Sequence, residues 1–280
     1  FIERALLSVI RQTRQCSEII VIDDGSTDGT SQLLDTWSST CPVQFRYQIL
    51  KVNSGPARAR NLGIQSANYS YIAFLDSDDH WHKKKLEHQY KVFAENPEYL
   101  ICHTWEKWLR NGLHLNQKKI HIPRHGDIFD HCLKLCAVGM STVMVQRVLF
   151  DKVGLFDETM RCCEDYDLWL RASVLYPFFL LTERLTIKEG GRTDQVSMQF
   201  RQGMDQLRIH SLQKILDSPL LSEEQATMAK KELIAKATVF GNGCIKHGKE
   251  VLGQMYLELA DRYQLMQKKD VKKDKGNDHE

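Results

Sequence analysis

The sequence predicts an α/β protein: a Rossmann-like, mainly parallel sheet flanked by helices, followed by a helical C-terminal extension. Three observations carry this reading. Runs rich in bulky apolar residues at 18–22 (EIIVI) and 69–75 (YSYIAFL) each end in an acidic turn, as strands do when they deliver polar groups to the carboxyl edge of an open sheet. Segments of helical spacing separate such runs, and strands alternating with helices at this length imply parallel crossovers. Beyond residue 199 the apolar positions recur only at helical spacing.

In chain order, residues 1–13 place Ala5, Leu6, Val9 and Ile10 on one helical face. Strand 18–22 follows, then helix 30–37, strand 43–50 and helix 57–67, whose small residues permit close packing. Strand 69–75 leads into Asp76-Ser77-Asp78-Asp79. Helix 83–95 stops before Pro97, which cannot continue it. Strand 99–108 runs into Asn111-Gly112, the dipeptide favoured in tight hairpin turns. Helix 127–136, short strand 141–145, one or two helical turns over 146–153 and helix 164–174 come next. Two short strands are expected at 178–181 and 184–188. Three amphipathic helices fit 199–217, 222–247 and 249–266, the first break marked by Asp217, Ser218 and Pro219. Residues 267–280 are nearly devoid of apolar side chains and are expected to be disordered.

At 280 residues, 42% apolar and 26% charged, the chain can hold a core of normal size. A net charge of +2 gives no pull toward nucleic acid. No apolar run approaches the roughly 18 residues that span a bilayer. The chain opens at Phe1 inside an amphipathic pattern, which reads as a fragment lacking its true N-terminus. Its eight cysteines are irregularly spaced without a CxxC pair. That favours reduced thiols over a disulfide framework, and hence a cytoplasmic location. The lysines at 230, 231, 236, 246 and 249 lie among apolar positions, so peripheral contact with the inner face of a membrane is one reading. A dimer interface and plain solvated faces are the others.

The acids carry the chemistry. Asp76, Asp78 and Asp79 put three carboxylates within four positions at a strand end, where mutual repulsion calls for a cation. Magnesium and manganese suit such oxygen ligands, often one or two carboxylates plus substrate phosphates. The plainer reading is an acidic turn that caps a helix. Asp23 and Asp24 close the first strand and suit recognition of a base or ribose. The spacing of Asp24, Ser26, Asp28, Gly29 and Asp35 mimics a calcium loop poorly, because a strand precedes it. Arg58 and Arg60, in NSGPARARNLG, can pair with phosphate or with the acids, and Arg58 is the better candidate for a solvated position. Glu164-Asp165 opens a helix, where acids also complement the dipole.

The order DDGSTDGT, NSGPARARNLG, FLDSDD, CEDYDLWLR resembles the family 2 glycosyltransferases of the GT-A fold, over roughly residues 1–190. The GGRTDQVS stretch at 190–197 and the helices after it look like an uncharacterised bacterial-type branch. The resemblance implies an inverting transferase acting on a nucleotide-diphosphate sugar, UDP-linked by default. The donor would be held by Asp23, Asp24, Arg60, Asn61, Asp76 and Ser77. Asp78 and Asp79 would bind Mg or Mn, and Asp165 would be the general base with Glu164 positioning it. The family's first strand, which lines the nucleotide pocket, is absent from this sequence. The division that follows is a donor-binding half at 1–95, an acceptor-binding and catalytic half at 96–195, helices at 199–266 and a charged tail at 267–280. The acceptor is a glycan, a lipid-linked molecule or a protein. Two rival readings are a non-catalytic nucleotide-sugar-binding fragment and a haloacid-dehalogenase-type phosphatase, which also carries DxD after a strand.

Overall fold

The computed structural model of the chain describes residues 1–192, 195–200 and 203–277. The elements are α1 (Ile2–Ile10), β1 (Glu18–Asp23), α2 (Thr30–Thr40), β2 (Gln44–Ile49), α3 (Pro56–Ser66), β3 (Tyr71–Ala73), β4 (His80–Trp81) and α4 (Lys85–Glu95). They continue with β5 (Ile101–Arg110), β6 (Leu113–Leu115), α5 (Phe129–Lys134), β7 (Met144–Gln146), α6 (Val148–Val153), α7 (Glu164–Leu175) and β8 (Phe178–Gly190). Helices α8 (Val196–Gln199), α9 (Met204–Leu216), α10 (Glu223–Lys246) and α11 (Glu250–Asn277) complete the described chain.

Local chemistry sets several boundaries. Gly55, at φ 92°, precedes Pro56 at the first position of α3, a pairing of free and fixed φ that starts a helix cleanly. Asn111 and Gly112 both have positive φ, 51° and 77°, as the tight turn between β5 and β6 requires. Ser222 and Gln225 form a reciprocal capping box at the start of α10.

The sheet differs from the expectation in two ways. Strands β1 and β2 form a two-stranded parallel sheet of their own, while β3 belongs to a six-stranded sheet ordered β3-β7-β5-β8-β4, with β6 on β5. Among the described residues β1·β2 and β5·β8 are parallel, and β3·β7, β5·β7, β4·β8 and β5·β6 are antiparallel. The expected single sheet through 18–22, 43–50 and 69–75 is therefore corrected. Tyr71–Ala73 spends its ladder hydrogen bonds on β7. The two sheets instead meet through side chains, with Ile19, Val21, Phe45, Ala73 and Leu75 in one apolar cluster. The two short strands expected after residue 177 are one strand, β8, whose register against β5 shifts beside Trp105.

The C-terminal helices are not an appendage. Leu212 and Ile215 of α9 and Ala229 and Leu233 of α10 enter the same core as Phe129, Leu133, Tyr166 and Trp169. Helix α11 runs on to Asn277, into the segment expected to be disordered. Once a helix is nucleated, adding residues costs little, and lysine, glutamine and aspartate do not break it. Residues 278–280 lie outside the described residues.

Candidate active site

The chain turns sharply after β3, with the Asp79 N–H donating to Asp76 O at 3.1 Å. The turn sorts four consecutive side chains. Ser77 is exposed, Asp76 and Asp78 are half-buried, and Asp79 is only 2% exposed.

Arg60 organises the site. It lies two residues beyond Arg58 on α3, far enough around the helix to point inward, while Arg58 makes an exposed pair with Glu158. Its guanidinium sits 2.9 Å from Asp76 Oδ1 and also pairs with Glu164 Oε1. Motifs distant in sequence are thus joined by one cation. Burial opposes the charge on Arg60, but Asp76, Glu164 and Asp165 hold it more firmly protonated than a free arginine. Burial likewise opposes the Asp76 carboxylate, yet Arg60 and then Lys188 keep it below the usual range. Burial pushes Glu164 up to about 7, the charge of Asp165 adds to this, and Arg60 limits the rise.

Glu164 and Asp165 open α7 after Cys163, whose φ of 61° is unusual for a residue with a side chain. No side chain caps this helix, and its first-turn acids face the positive end of the dipole instead. Asp165 is half-buried and held at both oxygens. Its Oδ1 accepts the Tyr166 N–H at 2.7 Å, and its Oδ2 accepts the Cys136 thiol at 2.9 Å. Burial, reinforced by Asp165, keeps that thiol protonated.

Asp78 faces cationic and amide donors. Gln195 Nε2 donates to its Oδ2 at 3.0 Å, Arg192 Nη2 lies 3.4 Å from the same oxygen, and Arg4 donates to its backbone carbonyl at 2.7 Å. This carboxylate is thus already matched to positive charge. Among the described residues no three His, Cys, Asp or Glu side chains converge on a point that could hold a metal ion, so a metal-ligand role for Asp78 rests on the resemblance alone. Asp79 does not fit that role. Its Oδ1 accepts the Glu189 N–H at 3.3 Å, and its carboxyl is pushed up to about 7 by burial, restrained by Lys188 and raised further by Asp76 and Asp78. Burial opposes the charge on half-buried Lys188, yet Glu106, Asp79 and Asp76 keep it strongly protonated.

The remaining expected donor contacts divide. Asp23 is 5% exposed; its Oδ1 accepts the Ser26 N–H at 3.0 Å, and its buried Oδ2 has no partner among the described residues. Asp24 instead clamps the loop before α3, accepting the Ser54 and Gly55 N–H groups at 2.7 Å each. Asn61 is engaged on all sides: it donates to Phe156 O and Glu158 Oε1 at 2.9 Å and accepts the Phe156 N–H at 3.0 Å. Both are turned to structural work by backbone partners that no local pattern discloses. Arg4, Cys136, Lys188, Arg192 and Gln195 join the site without having been singled out. Arg192 and Gln195 fall in the GGRTDQVS stretch, a visible signal, whereas its Thr193 and Asp194 lie outside the described residues.

The geometry agrees with comparisons to known proteins. A sequence model described as "Glycosyl transferase family 2" matches residues 1–154, more than half of the chain. An uncharacterized glycosyltransferase of Rickettsia felis is 41% identical over 169 residues, which cover 59% of this chain and 27% of that protein. A Bacillus subtilis protein named for teichuronic acid biosynthesis, TuaG, is 34% identical over 170 residues, covering 61% of this chain and 66% of its own. The chain therefore spans about a quarter of the Rickettsia relative. Among solved structures, Staphylococcus aureus TarS with UDP-GlcNAc superposes with a TM-score of 0.70 at 14% identity, covering 94% of this chain and 88% of that one. The Pyrobaculum calidifontis mannosyltransferase PcManGT, in complex with GDP-Man and Mn2+, gives 0.60 at 16% identity, covering 94% and 83%. These likenesses identify the fold as GT-A, and the family match sets aside the phosphatase reading. With its strand-end acids, its Arg60 bridge and its Glu164-Asp165 pair assembled on that fold, the chain belongs to glycosyl transferase family 2.

Proposed function

We propose that this chain carries the catalytic domain of an inverting glycosyltransferase that moves a sugar from a nucleotide-diphosphate donor to an acceptor hydroxyl. The observation that carries the reading is the double pairing of Arg60 with Asp76 and Glu164. It ties the acid-bearing strand end to the start of α7, so that Asp165 borders the same site as Asp78. UDP-sugars are the first donors to test, since TarS is solved with UDP and UDP-GlcNAc; GDP-mannose is the second, from PcManGT.

The roles follow from the contacts. The bare Oδ2 of Asp23 can accept an N–H from the base. Magnesium or manganese held by Asp78 and the donor phosphates would neutralise the charge of the departing diphosphate. Arg192 and Gln195, already against Asp78, would meet those phosphates. Asp165 takes the proton of the attacking hydroxyl, with Cys136 and the Tyr166 N–H fixing its plane. A base placed across the sugar from the leaving group gives inversion in one displacement. Glu164, locked to Arg60, orients this end of α7.

Asp165→Asn tests the assignment. A positioned base contributes about 10²–10⁴-fold in rate, so transfer should fall by that order while donor affinity, measured by calorimetry, stays within a few-fold. Undiminished transfer would move the base elsewhere, to Glu164 first.

A further inference from the structure

The β5–β6 hairpin and the turn after it have a composition unlike the rest of the surface. Residues 107–126 (KWLRNGLHLNQKKIHIPRHG) contain Lys107, Arg110, Lys118, Lys119 and Arg124 and no acid at all. Four large apolar side chains in the same stretch face solvent: Leu113 is 74% exposed, Leu115 41%, Ile120 52% and Ile122 40%. Scattered exposed leucines need no explanation, but contiguous ones rimmed by a single charge sign do.

The pairing register makes this a surface. Trp108 lies opposite Leu115 and Arg110 opposite Leu113, and directly opposed residues of an antiparallel pair share a face. Trp108, Arg110, Leu113 and Leu115 therefore form one face running to the hairpin tip. The turn of residues 119–121 joins it, with the ring centroids of His121 and Trp108 5.3 Å apart. Of the five cations only Arg124 has an ion-pair partner among the described residues, Asp130 at 2.8 Å. Arg110, Lys118 and Lys119 carry uncompensated charge beside bare leucine and isoleucine, and Lys107 adds its charge from the opposite face of the strand.

We propose that this hairpin docks the protein on a membrane surface bearing anionic headgroups. Apolar tips that enter the acyl boundary and lysines that reach the headgroups make up the chemistry of a peripheral membrane contact. A protein partner has no need of acid-free composition over so long a stretch, and a second copy of the same face would set like charges against each other. On the C-terminal helices, by contrast, Lys236 is occupied by Glu232 and Lys134 O.

The location adds a consequence that rests on the transferase reading. Glu106, at the inner end of the hairpin, accepts hydrogen bonds from Trp108 and Gln117 and neighbours Lys188 at the floor of the site. Arg110 and Asn111 at the tip crowd Gly191, next to Arg192. A membrane held by the hairpin borders the candidate site, so the acceptor class that fits is a lipid-linked one.

Co-sedimentation of the full chain with vesicles tests the docking without requiring donor, metal or transfer, so its outcome is independent of the catalytic assignment. The chain should pellet with phosphatidylcholine vesicles that contain phosphatidylglycerol, far less with phosphatidylcholine alone, and release in high salt. A basic residue at an anionic surface contributes about fivefold in partitioning, so Lys118→Gln with Lys119→Gln should weaken binding about 25-fold. Leu113→Ser with Leu115→Ser should weaken it by about tenfold or more per leucine. All four side chains are exposed, and unchanged melting temperatures would certify the fold of each variant. Absence of binding to the anionic vesicles, or full binding by both double variants, would overturn the proposal. So would a concentration-dependent dimer that the leucine substitutions abolish, because the occupant would then be a second copy.

Discussion

Replacing Arg60 with methionine removes the cation that two carboxylates share while keeping the helix and most of the side-chain volume. Breaking a buried ion pair from one side costs about 3–5 kcal/mol. The two partners do not share that cost equally. Asp76 is 38% exposed at its side chain, so water screens its charge, whereas Glu164 is 6% exposed and Arg60 15%. Most of the loss falls on Glu164, and the lower end, about 3 kcal/mol at neutral pH, is expected. For a chain of this size each kcal/mol shifts the melting temperature by about 2–4 °C, giving a drop of about 6–12 °C. The pH dependence carries the stronger test. The Glu164 carboxyl is raised from 4.5 to about 7 in the folded protein, so the native state holds that proton more tightly than the unfolded chain. Its contribution is complete below the unfolded value and lost as pH rises through the folded one. Without Arg60 the carboxyl moves higher still and the loss extends to more alkaline pH. Thermal unfolding should therefore show a deficit for Arg60→Met that is small near about pH 5 and largest near about pH 8. Adding Glu164→Gln to Arg60→Met should recover most of it, since the two residues are directly coupled. An equal deficit at both pH values, or no recovery in the double variant, would refute the bridge as described.

The remaining predictions concern the metal and the helical hairpin. Asp78→Asn in the full chain should abolish the metal dependence of donor binding, and a metal titration unchanged by the substitution would exclude Asp78 as the ligand. Asp79→Asn, by contrast, should leave metal-dependent donor binding nearly intact, because that carboxyl is turned to Glu189 N–H and Lys188. In α11, a Cβ on Gly253 would lie 2.5 Å from the Ile245 side chain and 2.6 Å from Gly241 O. Gly253→Ala should therefore destabilise by about 1–3 kcal/mol in denaturant unfolding. Gly243 has open space around it, and Gly243→Ala should stabilise by about 0.5–1 kcal/mol through helix propensity.

What the sequence by itself determined was everything set by short-range chemistry. Periodicity located most helices and longer strands within a few residues, though not β4, β6 or α8, and Asn111-Gly112 specified a hairpin because both residues tolerate positive φ. The four ordered motifs were enough to name the family. The roles of individual site residues needed the tertiary structure, because a side chain's work depends on which distant groups reach it. Asp23 and Asp24 are neighbours in one motif, yet one keeps a bare buried oxygen and the other is consumed by the backbone of residues 54 and 55. Asp78 and Asp79 are equally acidic in sequence, but the turn sends one toward Arg192 and Gln195 and buries the other over Lys188. Asn61 follows Arg60, and a one-residue rotation about α3 directs it to Phe156 while Arg60 reaches Asp76 and Glu164. Strand pairing was decided at the same level. The apolar run before Asp76 fits either kind of ladder, and only the arrival of Met144–Gln146 made its partner antiparallel.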